Sequence, residues 1–233
     1  MDSGSEEEEK MGNEKRIRII TGHYGSGKTE FAVNLALALS KQGKTAIVDL
    51  DIVNPYFRTR ELEELFSERG IRLIASTTAS PFSDIPSLSP EIFAAFQDKS
   101  YQVVIDVGGD RVGANALGRF HTYLDKEPYE MYFVINGNRR KTKNLDSTMK
   151  CLQSIEAGSR QKVTALVCNT HMCGETTVRD VVKGYELCLA VSEATGLPLR
   201  YTVAEKKLIE YLPPHIKSNS FPINLYLLKP WEK

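Results

Sequence analysis

Apolar and polar positions along the chain fall into two alternating patterns. Short, near-continuous apolar runs rich in Ile and Val recur between longer stretches whose apolar residues are spaced for one helical face. The runs predict strands over residues 16–21, 45–50, 71–74, 101–107, 131–135, 163–168 and 199–203. Continuous rather than alternating apolarity suits strands covered on both faces. The helical stretches are 28–41, 60–68, 90–97, 114–124, 145–155, 177–194 and 206–211. Gly43 and Gly196 close two of them, Ser89 is a candidate N-cap, and Pro213-Pro214 stops the last. Residues 76–90, rich in Ser, Thr and Pro, read as a long loop, and 224–228 reads equally as a strand or a docked coil. Strand and helix alternate throughout. That order predicts an α/β fold: a single domain over 16–233 with a mainly parallel sheet flanked by helices on both faces, in three layers.

The first strand runs into Gly22-His23-Tyr24-Gly25-Ser26-Gly27-Lys28-Thr29, and a helix opens at once with Glu30. The stretch matches the phosphate-loop pattern G-x-x-x-x-G-K-S/T in the strand–turn–helix context the pattern requires. Its glycines permit a curled backbone whose N–H groups form a nest for phosphate oxygens, and the helix adds the positive end of its dipole. Residues 22–30 are therefore the expected nucleotide-binding segment. Lys28 reaches the β- and γ-phosphates and the Thr29 hydroxyl joins a magnesium shell.

A phosphate loop needs carboxylates near its metal. Asp49 and Asp51 follow the second strand and Asp106 a later one, all on the carboxyl edge where ligands of open α/β sheets bind. A lone Asp at a strand end is commonly a turn or helix cap; three on the edge that carries Lys28 argue for function. Gly108-Gly109 is either a tight turn or a switch whose N–H touches a γ-phosphate. Cys168, His171 and Cys173 form C-x-x-H-x-C, which supplies only three ligands from one chain and lacks paired C-x-x-C spacing. Cys151 and Cys188 fall in helices and read as structural, and Arg139-Arg140-Lys141 with Lys143 reads as a solvated basic loop, with anion or partner binding as the alternative.

Composition narrows the function classes. The chain has 233 residues, 41% apolar and 26% charged, with 30 basic and 30 acidic residues. Zero net charge gives no push towards nucleic acid or an anionic membrane. No apolar run approaches the roughly 20 residues of a membrane span. Residues 1–15, with Glu6-Glu7-Glu8-Glu9, read as a disordered acidic leader without the basic and apolar regions of a secretory signal. Four cysteines without such a signal point to free thiols and a cytoplasmic location.

Together, residues 22–29, Asp49-Leu50-Asp51-Ile52-Val53-Asn54-Pro55 and Asp106-Val107-Gly108-Gly109 resemble the MinD/ParA/Mrp and CobQ/CobB group of SIMIBI-class P-loop NTPases, over residues 16–212. The order and spacing of the three motifs carry the resemblance, which is to uncharacterised MinD-like ATP-binding proteins more than to any named member. The resemblance implies that Asp51 positions an attacking water and, with Thr29 and Asp106, serves magnesium. It implies that Gly109 meets the γ-phosphate, that Asn169 hydrogen-bonds the base edge, and that the loop after Val203 lies along the purine. Asn169-Thr170-His171 lacks the T/N-K-x-D pattern that reads guanine, so ATP with Mg2+ is expected. Many relatives carry a second lysine where this chain has His23; Arg58, Arg60 and Arg111 are candidate replacements. The implied activity is a slow ATPase, with Lys28 and Asp51 as its catalytic residues, that switches a homodimer or a client protein. The alternatives are an enzyme activating or phosphorylating a small metabolite, with residues 76–90 over the substrate, and a non-catalytic nucleotide scaffold. The stretch after Pro213 shows no basic amphipathic helix, against a membrane-positioning role.

Overall fold

Strand β1 (Ile17–Gly22) lies at the centre of the molecule, and the rest of the sheet is laid out from it. The computed structural model describes residues 15–51, 62–75 and 90–227. After β1 come α1 (Lys28–Leu39), β2 (Thr45–Leu50), α2 (Glu63–Glu68), β3 (Ile71–Ala75), α3 (Pro90–Gln97) and β4 (Gln102–Val107). The second half contains α4 (Arg111–Gly118), α5 (His121–Leu124), β5 (Tyr129–Ile135), α6 (Leu145–Ser159), β6 (Ala165–Cys168) and α7 (Val178–Thr195). It closes with β7 (Leu199–Glu205), α8 (Lys206–Ile209), α9 (Pro214–Lys217) and β8 (Ser220–Ile223). The eight strands form one sheet in the order β3-β2-β4-β1-β5-β6-β7-β8, every neighbouring pair parallel. The mainly parallel three-layer expectation is met.

Alternation along the strands divides the core. Ile17, Ile19, Val103, Ile105, Met131 and Phe133 face α3–α7, whereas Ile20, Val104, Tyr132 and Val134 face α1 and its Phe31. Both faces are covered, which is why the strands read as apolar runs. Arg18, on the α1 side of β1, is the one fully buried charged side chain in that strand, and its guanidinium donates to Gln102 Oε1 at 2.6 Å.

Several predicted elements are corrected. The helix expected over 114–124 is two: Asp110 accepts from Gly113 N at 2.8 Å and starts α4 earlier, and the chain turns at Arg119–Phe120, where Phe120 is buried against Phe93 and Phe96. Strand β8 was not expected, because Pro222 interrupts it; as the sheet's edge, β8 pairs with β7 alone and tolerates a residue with no N–H. Residues 224–227 are the docked coil of the two alternatives. The predicted leader (but for Lys15), residues 52–55, Arg58, Arg60, the start of the 60–68 helix, Ser89 and nearly all of the 76–90 loop lie outside the described residues.

Candidate functional site

The strand order gathers the site. With β1 between β4 and β5, the loop leaving Gly22 is flanked by the segments that follow Val107 and Ile135. Next to β4 lies β2, with Asp49 in register with Asp106, and next to β5 lies β6, which ends before Asn169. Every motif singled out in the sequence therefore reaches one edge.

In the loop itself Gly22, Gly25 and Gly27 have φ of 144°, 75° and 79°. At Gly27 the demand is also steric, since a Cβ would lie 2.4 Å from Asn169 Nδ2. Asn169 holds the loop from the side, donating to the Ser26 carbonyl at 2.9 Å and the Gly27 carbonyl at 3.4 Å. Arg139 Nε and Asn136 Nδ2 donate to the Gly25 carbonyl at 2.9 and 3.3 Å. The His23 ring nitrogen Nδ1 sits 2.9 Å from the Tyr24 carbonyl, and Tyr24 is exposed. A Cβ on Gly109 would come 2.5 Å from Tyr24 N and 2.8 Å from the Gly22 carbonyl, so the Gly108-Gly109 turn is packed directly on the loop.

Lys28 is buried, with Nζ 3.5 Å from the His23 carbonyl. The Thr29 hydroxyl donates to Asp106 Oδ2 at 2.6 Å. Asp106 is buried, and its Oδ1 has no partner among the described residues. Burial pushes its carboxyl up to about 7, against the pull of Lys28 and the Thr29 hydrogen bond, with Asp49 and Asp51 adding to the rise. Asp49 accepts from Asp51 N at 3.0 Å, and the Asp51 carboxylate lies beside Gly108, 3.2 Å from where a Cβ would stand. An orphaned carboxylate oxygen, a hydroxyl and two further carboxylates are hard oxygen donors that fit magnesium. Among the described residues no three His, Cys, Asp or Glu side chains could hold a metal by themselves.

Glu30 is committed elsewhere than its place in the predicted segment suggests. Its carboxylate accepts from Tyr226 N at 2.8 Å and Leu227 N at 3.1 Å, and burial raises its pKa against those bonds. Asn34 holds the same coil through reciprocal bonds of 2.9 Å with Asn224. Beside Gly27 lies a cavity of about 180 Å³, walled by Asn169, His171, Val203–Glu205 and the docked coil's Leu225 and Leu227. A larger groove of about 720 Å³ between α1 and the β7–β8 edge contains none of the expected site residues. The C-x-x-H-x-C residues do not converge: Cys168 is a buried free thiol hydrogen-bonded to the Cys188 thiol, whereas His171 and Cys173 line the cavity. Arg139 belongs to the basic stretch that reads as a solvated loop or an anion- or partner-binding one. Its position after β5, the neighbour of β1, is the signal that places it on the phosphate loop. Arg111, a candidate replacement cation, begins α4 and is exposed.

No protein-family model matches the chain, and no curated protein matches it at a significant level. Solved structures do. FtsY from Mycoplasma mycoides is 17% identical with a TM-score of 0.53, over 81% of this chain and 60% of that one. Chloroplast FtsY from Physcomitrella patens is 18% identical with a TM-score of 0.55, over 81% and 58%. The Signal Recognition Particle 54 kDa protein from Aeropyrum pernix, solved in complex with GDP, is 19% identical with a TM-score of 0.51, over 78% and 40%. The chain thus spans three fifths or less of these neighbours' lengths. The likeness is one of fold alone.

Proposed function

We propose that this chain is a Mg-ATP-binding P-loop switch of the MinD/ParA-like kind, with slow ATPase activity that governs a second copy of itself or a client protein. The observation that carries this reading is the buried Lys28 and Asp106 beside the half-buried Thr29, with the Thr29 hydroxyl on one Asp106 oxygen and the other oxygen unpartnered among the described residues.

On this reading the loop N–H groups and Lys28 neutralise the phosphates, and Thr29 and Asp106 hold magnesium. The bound ion supplies charge compensation as the β–γ bond breaks. Asp51 orients the attacking water, and Gly109 N–H senses the γ-phosphate. Catalysis is positioning and electrostatics, with no covalent step on the protein. Arg139, fixed on the Gly25 carbonyl, brings to the loop the positive charge that His23 does not. Adenine is favoured over guanine because Met172, 43% exposed, stands where T/N-K-x-D places a carboxylate. The GDP of the Aeropyrum pernix protein does not carry over at a likeness of fold alone. The metabolite-activating alternative rests on the 76–90 loop, and no described residue favours it.

Calorimetry with Mg-ATP and Mg-GTP tests the reading on wild type and Lys28→Ala. Wild type is expected to bind ATP more tightly than GTP, and Lys28→Ala to lose detectable binding; unchanged affinity in the variant overturns the site. Light scattering with magnesium and a non-hydrolysable ATP analogue separates the partners: a doubled mass means a homodimer, an unchanged one a client protein.

A further inference from the structure

The groove of about 720 Å³ along the β8 edge of the sheet is basic. Its walls carry Lys41, Arg69, Lys206 and Lys217 against the single carboxylate of Glu210. All four cations are exposed, and none forms an ion pair among the described residues. The topology explains why they collect there. Lys41 follows the end of α1, Arg69 follows α2, and Lys217 ends α9, three places where a helix returns the chain to the amino edge of the sheet. Every strand is parallel, so β1 starts from that edge too, with Lys15 just before it. A cleft lined by one sign of charge concentrates its field, and an anionic occupant relieves the repulsion between its walls.

We propose that this groove is the docking site of the acidic segment Glu6–Glu9 of the same chain. Residues 1–14 carry six carboxylates, those of Asp2, Glu6 to Glu9 and Glu14, and one lysine, Lys10. The rest of the chain carries 29 basic and 24 acidic side chains. The neutral whole is thus an acidic segment joined to a basic body, and charge complementarity selects the segment as occupant. Its reach suffices. β8 lies four strands from β1, about 19 Å across the sheet. Glu9 stands eight residues before Ile17, a length of chain that spans up to about 27 Å, and Glu6 stands three residues further out. Single exposed ion pairs are weak, but here four carboxylates in a row meet four cations. Tethering beside the site adds an effective concentration of about millimolar, which neither a free anion nor a separate acidic peptide has. The docking is independent of what the phosphate loop binds.

Zero-length carbodiimide cross-linking of the full chain, read by mass spectrometry after digestion, tests the docking, because it joins a carboxylate to an ammonium only where the two touch. Lys99 is the internal control. It pairs with Glu127, which also meets Arg16 at the start of β1, so it stands beside the tether and outside the groove. Amide links from Glu6–Glu9 to Lys41, Lys206 or Lys217 are expected to outnumber those to Lys99 by about fivefold or more. The preference is expected to vanish in about 1 M salt, where the Debye length is about 3 Å. Lys41→Glu with Lys217→Glu removes it at Lys206. Adding Glu6→Lys, Glu7→Lys, Glu8→Lys and Glu9→Lys to that variant restores links between the segment and positions 41 and 217. Links to Lys99 as frequent as those to the groove, a preference that survives the salt, or a charge-swapped chain without links overturns the docking. An equal mixture of heavy-nitrogen-labelled and unlabelled chains identifies the source of the segment. Links within one isotope are expected; mixed links as frequent as these mean that a second copy fills the groove, and overturn the same-chain assignment.

Discussion

Two buried titratable side chains bend the stability of the ligand-free protein in opposite directions. The Asp106 carboxyl, pushed up to about 7, binds its proton more tightly folded than unfolded, so its contribution is full below about pH 4 and is lost as pH rises to 7. His171, held down to about 4, does the reverse: its contribution is full above about pH 6.5 and is lost as pH falls towards 4. The two are worth about 4 and about 3 kcal/mol across their windows, so in the wild type they largely cancel. Single variants should expose the slopes in thermal melts from pH 4.5 to 7.5. Asp106→Asn is expected to gain stability as pH rises, and His171→Gln to lose it; parallel curves for both would contradict the assignment. Asp106→Asn is also expected to be the more stable protein at pH 8 and to lose the magnesium-dependent part of nucleotide affinity, since a buried anion is costly until a cation meets it.

At the scale of elements, the docked coil and the helix starts decide how well the cavity is formed. Glu30 and Asn34 on α1 hold residues 224–227 through four hydrogen bonds to backbone groups. Glu30→Gln sets an amide N–H₂ against one of those N–H groups, so a loss of about 1–2 kcal/mol is expected, together with faster hydrogen exchange at Tyr226 and Leu227. The α7 start carries a reciprocal cap between Thr177 and Asp180, and Thr177→Ala should cost about 1 kcal/mol in denaturant unfolding. These elements also explain what was legible in the sequence. Strands buried on both faces announce themselves as apolar runs, and α7 ends at Gly196, the glycine expected to close it. By contrast β8 hid behind Pro222, and the break between α4 and α5 depends on where Phe120 finds its aromatic partners. The loop Gly22–Thr29 was legible because its chemistry is local. The supports from Arg139 and Asn169 and the diversion of Glu30 were not, because each joins residues more than 110 positions apart.

At the scale of the whole molecule, the eight parallel strands among the described residues place every expected phosphate and metal ligand on one edge. No helix among the described residues is long and apolar enough to cross a membrane. Ligand binding at one site of a cooperative fold stabilises all of it, so saturating Mg-ATP at 100 times Kd should add about 2.7 kcal/mol and raise Tm measurably, with no rise in Lys28→Ala. Tyr24 in the loop and Val112 in α4 are large, exposed apolar side chains near this edge. The contact between Gly109 and the Gly22–Tyr24 backbone carries a mechanical consequence. With no side chain between them the two loops stand closer than any Cβ would allow. A methyl group at position 109 would act as a wedge against that backbone, so Gly109→Ala is expected to push the phosphate loop out of shape and weaken nucleotide binding; unchanged affinity in calorimetry would contradict the close packing.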